Sequence, residues 1–157
     1  MTQRPVVIDI FPRDESTRFW GDCTRTVVHG QPSDQVLAMH RAVVAAKAAA
    51  TSALQVGSTG DAVHQAATKV LTQHGFPLSR GTITDHPSIQ HGTGHGIGLE
   101  IHEPILLDDN GPELLANEVL TIEPGLYGRI DGGVRVEDMV VATERRTAQF
   151  QSTARRA

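Results

Sequence analysis

Three histidines, His91, His95 and His102, fall within one short stretch, with Gly92, Gly94, Gly96 and Gly98 interleaved. Imidazoles at this density can ligate a metal, carry a proton or steady a developing oxyanion. His91 and His95 are four apart and would share one face of a helix, as in a zinc helix. The glycines argue against a helix, because each costs about 1 kcal/mol relative to alanine in a helix interior. A glycine-rich strand or bend is expected instead, with the backbone close to a neighbour and the imidazoles entering one space. The plainer alternative is a flexible loop rich in histidine. Carboxylates decide between the two. Asp9 follows the apolar run 6–8, Asp22 lies in 19–28, Glu123 follows 119–122, and Glu137 lies in 132–141. A carboxylate at the end of a buried strand must be paired, protonated or bound to a metal. Four of them gathered at one imidazole repel by roughly several kcal/mol unless cations neutralise them. Two divalent ions do so directly. Oxygen-rich ligation with one imidazole suits Mn²⁺, Co²⁺, Fe²⁺ or Zn²⁺ better than a thiolate-preferring site. Two such ions about 3.5–4 Å apart can share a water and acidify it.

The elements that must position these groups can be read in order. Val6-Val7-Ile8 reads as a buried strand, 10–17 as a turn and 19–28 as the returning strand, so Asp9 and Asp22 face each other across a hairpin. For Asp22, a salt bridge to Arg25 or a turn cap is the structural alternative. Ser33 caps a long helix whose apolar face is Val36, Met39, Val43, Ala46, Ala50 and Leu54, with Gly57 just past its end. A second helix runs from Gly60-Asp61 to Gly75, with Val63, Ala67, Val70 and Leu71 inward. His64 and His74 on it read as surface or partly packed histidines rather than ligands. Residues 76–90 connect to the histidine segment, and His86, just upstream, is a candidate for the same pocket that nothing in the sequence forces into it. Residues 103–112 read as loop, with Asp108 and Asp109 a solvated turn. In the strand 132–141, the two-residue period puts Arg135 and Glu137 on one face, the expected site face. Asp138 falls on the other side, as a surface residue or hydrogen-bond partner. From Glu144 on, with Arg145, Arg146, Arg155 and Arg156, no apolar period persists and a solvated tail is expected.

Composition bounds the reading. The 157 residues allow one domain with a core, which must rest on aliphatic side chains because aromatics make up only 4%. Fourteen basic against 18 acidic residues, a net charge of −4, argue against nucleic acid or an anionic membrane as partner. Cys23 is the single cysteine, so no internal disulfide forms, which is compatible with a reducing cytosol. There is no apolar run of transmembrane length and no signal peptide at the start. A cytoplasmic location is the expectation.

The chain resembles the pita-bread metallopeptidases, which include the methionine aminopeptidases, aminopeptidase P, prolidase and the creatinase relatives. The matching residues are Ile8-Asp9, Gly21-Asp22-Cys23-Thr24-Arg25-Thr26, residues 91–98, Ile101-His102-Glu103, Thr121-Ile122-Glu123-Pro124-Gly125 and Gly133-Val134-Arg135-Val136-Glu137-Asp138. They occur in family order, and the Thr-Arg-Thr and Gly-Val-Arg-Val-Glu-Asp pieces look most like the Xaa-Pro branch. The resemblance implies an α+β pita-bread fold, a curved and mostly antiparallel sheet covered by helices, over residues 1–145, with 146–157 as the solvated tail. It implies that Asp9 chelates one metal, Asp22 and Glu137 bridge two, and His95 and Glu123 complete the other. Two divalent ions are implied, Mn²⁺ ahead of Co²⁺, Zn²⁺ or Fe²⁺. Glu123 would take the proton of a metal-bridging water that attacks the scissile carbonyl. His102 would meet the substrate carbonyl or assist proton transfer. His91 would line the pocket and meet a substrate carboxylate or the intermediate. Arg135 would hold a bridging carboxylate or the substrate's end.

The implied activity is an aminopeptidase or dipeptidase acting on proline-containing Xaa-Pro peptides. Two departures stand out. The spacing from Asp9 to Asp22 is longer than the commonest one, which implies a longer turn. The chain also starts at the strand carrying the first ligand, so the front part of the domain is expected to be missing. Exposed sheet edges would then favour self-association into a homo-oligomer. The alternatives from other classes are a catalytically silent pita-bread binding module or inactive fragment, and creatinase-like C–N hydrolysis.

Overall fold

A computed structural model describes residues 4–143 and the strand Ala148–Gln149. Two helices follow directly from their caps and apolar spacing. The Ser33 hydroxyl accepts from the Val36 N–H and opens α1, Asp34–Ala53. Val36, Met39, Val43, Ala46, Ala50 and Leu54 are all buried, as the spacing requires. α1 stops at Ala53 with Leu54 as its cap, so Gly57, with φ +82°, belongs to the following turn instead. Thr59 caps α2, Gly60–Gln73, which packs against α1, and Gly75 ends it at φ +88°.

The strands fall into three groups. β1 (Val6–Ile10) and β2 (Cys23–Val27) form an antiparallel hairpin. β3 (Gly94–Gly96), β4 (Glu103–Leu107), β5 (Val119–Ile122), β8 (Asp138–Val141) and β9 (Ala148–Gln149) form an antiparallel sheet in the order β4-β3-β5-β8-β9. β6 (Gly125–Gly128) and β7 (Gly132–Arg135) make a second hairpin. The chain is α+β. α1 lies against β5, β6 and β7, and α2 against β4. Met39, Val43 and Ala46 meet Leu120, Ile122, Leu126 and Val134 in one aliphatic core.

Several expectations change. β1 is not a buried strand: Val6, Ile8 and Ile10 are 56%, 41% and 58% exposed. Its inward side chain Val7 meets β7 at Gly133, while the opposite face stays open. Residues 103–107 are a strand, not a loop. Glu103, Ile105 and Leu107 turn toward the protein and alternate with exposed Pro104 and Leu106. The stretch 132–141 is two strands in different sheets, broken at Val136-Glu137. At the break, the Glu137 N–H donates to the Thr24 carbonyl and ties β2 to β8. Asp138 is buried rather than on the surface, and it pairs with Arg25 at 2.7 Å and with Lys47. Arg25 therefore serves Asp138, not Asp22. Within the stretch read as a solvated tail, Ala148 and Gln149 pair on β8. Glu144, Arg145, Arg146, Arg155 and Arg156 lie outside the described residues. Among the described residues, no helix is long and apolar enough to cross a membrane.

Candidate metal centre

The histidine segment is a strand because its glycines let it be one. A Cβ on Gly94 would stand 2.0 Å from the Thr121 carbonyl oxygen, so only glycine permits β3 to lie this close to β5. That approach seats His95, whose backbone N–H donates to the Thr121 hydroxyl at 3.1 Å. Its Nδ1 lies 2.9 Å from the Gly96 carbonyl. A carbonyl only accepts, so Nδ1 carries the proton and Nε2 presents a lone pair. Burial holds the ring below the usual imidazole range and keeps it neutral. Nε2 lies 3.5 Å from Glu123 Oε1 and 3.8 Å from Asp22 Oδ2.

Thr24 sits at the centre of the remaining charges. Its hydroxyl is 2.6 Å from Glu137 Oε2, 2.9 Å from Asp9 Oδ1 and 3.1 Å from Arg135 Nε, which donates to it. One hydroxyl proton cannot serve both carboxylates. Arg135 also reaches Asp9 Oδ2 at 2.5 Å, Glu123 Oε2 at 3.7 Å and the Tyr127 hydroxyl at 3.5 Å. A single guanidinium faces Asp9, Asp22, Glu123 and Glu137. The carboxyls respond by holding protons. Burial and the Asp9 charge push Asp22 up to about 6. Burial lifts Glu137 to about 7, against the Thr24 hydrogen bond and with Asp22 adding to it. Burial and Glu137 lift Glu123 to about 8.

This centre lacks positive charge, and its donor set suits divalent ions. Asp22, His95 and Glu137 offer ligand atoms within 4.8 Å of one another. Glu137 Oε1 is buried with no hydrogen-bond partner among the described residues. A buried carboxylate oxygen left in this way is costly unless something else binds it.

All eight residues singled out from the sequence come to this region, with different parts. Asp9, Asp22, His95, Glu123 and Glu137 form the carboxylate and imidazole cluster, and Arg135 braces it. His102 is exposed and stands edge-on to His95, with ring centroids 4.2 Å apart. His91 has both nitrogens engaged, Nδ1 on the Gly92 carbonyl and Nε2 accepting from the Tyr127 hydroxyl, each at 2.7 Å. A cavity of about 280 Å³ opens here, lined by His91, His95, His102, Glu123 and Arg135 together with Leu106, Asp108 and the Gly92 and Gly94 backbone. His86 does not line it.

Four contributors escaped the sequence reading. Thr24 was legible, because the two-residue period of β2 puts it on the same face as Asp22. Tyr127, His64 and Asp108 carried no such signal. His64 is 1% exposed, and its Nδ1 meets the Thr93 hydroxyl at 2.9 Å behind the histidine strand. Asp108 is not simply a solvated turn residue, since a Cβ on Gly92 would come 2.9 Å from its carboxyl group.

With the geometry in place, the chain can be set beside known proteins. Residues 2–144 match the model of metallopeptidase family M24. The chain is 34% identical over 135 residues to an Xaa-Pro dipeptidase of Pyrococcus furiosus, covering 85% of this chain and 36% of that protein. The solved prolidase of P. furiosus superposes with a TM-score of 0.83 at 32% identity, over 96% of this chain and 42% of that one. Dipeptidase PepE from Mycobacterium ulcerans gives 0.82 at 34% identity, over 95% and 38%. The pita-bread architecture is therefore shared, and the chain spans about a third of the length of the curated relatives it matches.

Proposed function

The chain belongs to metallopeptidase family M24, and from that membership we propose that it holds two divalent ions and hydrolyses the bond between an amino-terminal residue and proline. The catalytic unit occupies residues 1–145. The observation that carries the reading is Glu137 Oε1, buried and without a hydrogen-bond partner among the described residues, on a residue that clusters with Asp22 and His95. Asp9, Asp22, His95, Glu123 and Glu137 would hold the ions, with Asp9 on one, His95 and Glu123 on the other, and Asp22 and Glu137 shared between them. The oxygen-rich set favours Mn²⁺, with Co²⁺, Zn²⁺ or Fe²⁺ as substitutes.

When bound, such ions supply an acidified water and polarise a peptide carbonyl. The chain's own groups supply the rest. Glu123, whose carboxyl faces His95 Nε2 and Arg135 Nε, would take and return a proton during the reaction. His102, exposed at the cavity edge, donates to the substrate carbonyl oxygen as charge develops on it. Arg135 holds Asp9 and Glu123 in position. His91, tied to Tyr127, walls the cavity rather than reaching into it. Leu106 and the Gly92 backbone offer an apolar wall suited to a pyrrolidine ring.

Native mass spectrometry after Mn²⁺ loading, beside Glu137→Ala, tests the reading, followed by a panel of Xaa-Pro peptides. Two ions per chain that are lost in the variant, with cleavage before proline, are expected. No stoichiometric metal would leave the silent binding module as the better description.

A further inference from the structure

Outside the proposed ligands and Arg135, the charged side chain lining the cavity is Asp108. It belongs to a second polar cluster packed behind the histidine strand. Arg80 grips it with both ends of its guanidinium: Nη1 donates to Oδ2 at 3.0 Å and Nη2 to Oδ1. The same Nη2 lies 3.2 Å from His64 Nε2 and 3.4 Å from Asp109 Oδ2. His64 adds no charge. Burial holds it below the usual imidazole range, and its ring accepts from Arg80 at Nε2 while facing the Thr93 hydroxyl at Nδ1. Two carboxylates thus surround one guanidinium, and the cluster that presents Asp108 to the cavity is net negative.

The other guanidinium at the cavity is equally committed. Arg135 is spent on Asp9, Glu123 and Thr24. His91 is neutral, with both nitrogens engaged. Among the described residues lining the cavity, no uncommitted guanidinium or ammonium is left to receive a carboxylate at the end of a substrate. A free carboxylate on the residue after the scissile bond would approach Asp108 with like charge in a partly desolvated space, where repulsion is stronger than in water.

We propose that Asp108 is a specificity-determining residue: it makes the site take peptides that continue past the residue after the scissile bond, or end there as an amide, in preference to free dipeptides. The inference rests on the peptidase reading above and separates its two forms, in favour of an aminopeptidase. Asp108 acts through charge alone and forms or breaks no bond.

The test uses the Mn²⁺-loaded full chain and two ligands that differ at one group, proline and prolinamide, by titration calorimetry. These are leaving-side ligands, so the result does not depend on turnover. Prolinamide is expected to bind about tenfold tighter, the effect of one like-charge contact at reduced dielectric. Raising the salt concentration should shrink the ratio. Two variants must then move the ratio in opposite directions. Asp108→Asn brings it toward one, because the repelling charge is gone and Arg80 is loosened. Arg80→Gln widens it, because Asp108 loses its counter-charge. A merely structural role would not give opposite signs, and thermal melts of each variant identify any that fails to fold. Equal or reversed affinities in the parent chain, binding of neither ligand, or variants that shift the ratio in the same direction would overturn the proposal. In parallel, Ala-Pro, Ala-Pro-amide and Ala-Pro-Ala are compared by kcat/KM. If prolinamide is preferred and no peptide is cut, the peptidase reading fails while the charge selection stands.

Discussion

Glu137 and Asp138 are consecutive, both are 1% exposed, and the chain treats them in opposite ways. Asp138 faces α1 and β2, where Lys47 and Arg25 meet its two oxygens. Glu137 faces Thr24 and three other acids, and one of its oxygens meets no donor among the described residues. The same backbone step thus carries one carboxylate balanced by the protein and one left in deficit. Burying a charge requires a partner in either case. At Asp138 the partner is built in and permanent. At Glu137 it is withheld, and under the proposed function that deficit is what a divalent ion would meet.

The comparison breaks most visibly on metal affinity. Glu137→Ala should weaken Mn²⁺ binding by at least about 100-fold, more than is typical for loss of a supporting group. Asp138→Asn should leave the stoichiometry unchanged, and metal titration of the folded variants checks both. Next in size is stability. Asp138→Asn strands Lys47 and Arg25 and should cost about 2 kcal/mol in urea unfolding, below the range for a fully buried pair because Arg25 is one-third exposed. Glu137→Gln should instead stabilise the metal-free protein, because it removes one of four crowded carboxylates. Thr24→Val comes third. It removes the hydroxyl between Asp9 and Glu137 and should weaken metal binding about tenfold without changing the number of ions bound.

The same comparison can be read through pH. Asp22, Glu137 and Glu123 have raised proton affinity in the folded chain, to about 6, 7 and 8. The folded state therefore binds more protons than the unfolded one. Deprotonation costs stability as pH rises from about 4, where unfolded carboxyls titrate, through about 8. With chelator present, the melting temperature should be higher at pH 5 than at pH 8, and Mn²⁺ should reverse that order. An unchanged melting temperature across this range would mean that the acids are not crowded in solution.

Asp9 and Glu123 stood out because each directly follows an apolar run, and Asp22 and Glu137 because each lies within a strand-like segment. The two helices were legible for the same kind of local reason, with Ser33 as a cap and apolar residues at a helical period. What failed was information that depends on who lies opposite. Val6 and Ile8 look buried because they are apolar, but sequence does not say whether anything covers them. β4 was hidden because Pro104 and the acidic turn after Leu107 dominate the local pattern, while its alternation becomes evident only against β3. Arg25 offers itself from the sequence as one alternative partner for the nearer Asp22, whereas the fold delivers the distant Asp138. His64 and Asp108 looked ordinary because each draws its meaning from Arg80 and from a strand remote in sequence.

The Thr24 hydroxyl and Glu137 carboxylate are 113 positions apart in the chain, and this separation has a kinetic consequence. Long-range closure is slow and comes late, because the entropy of a large loop must be lost before the contact contributes. The helices can form early from local contacts, but the proposed metal-binding geometry needs this long-range pairing closed. Metal capture during refolding should therefore track the slowest folding phase, making Mn²⁺ uptake a reporter of completed folding rather than its trigger.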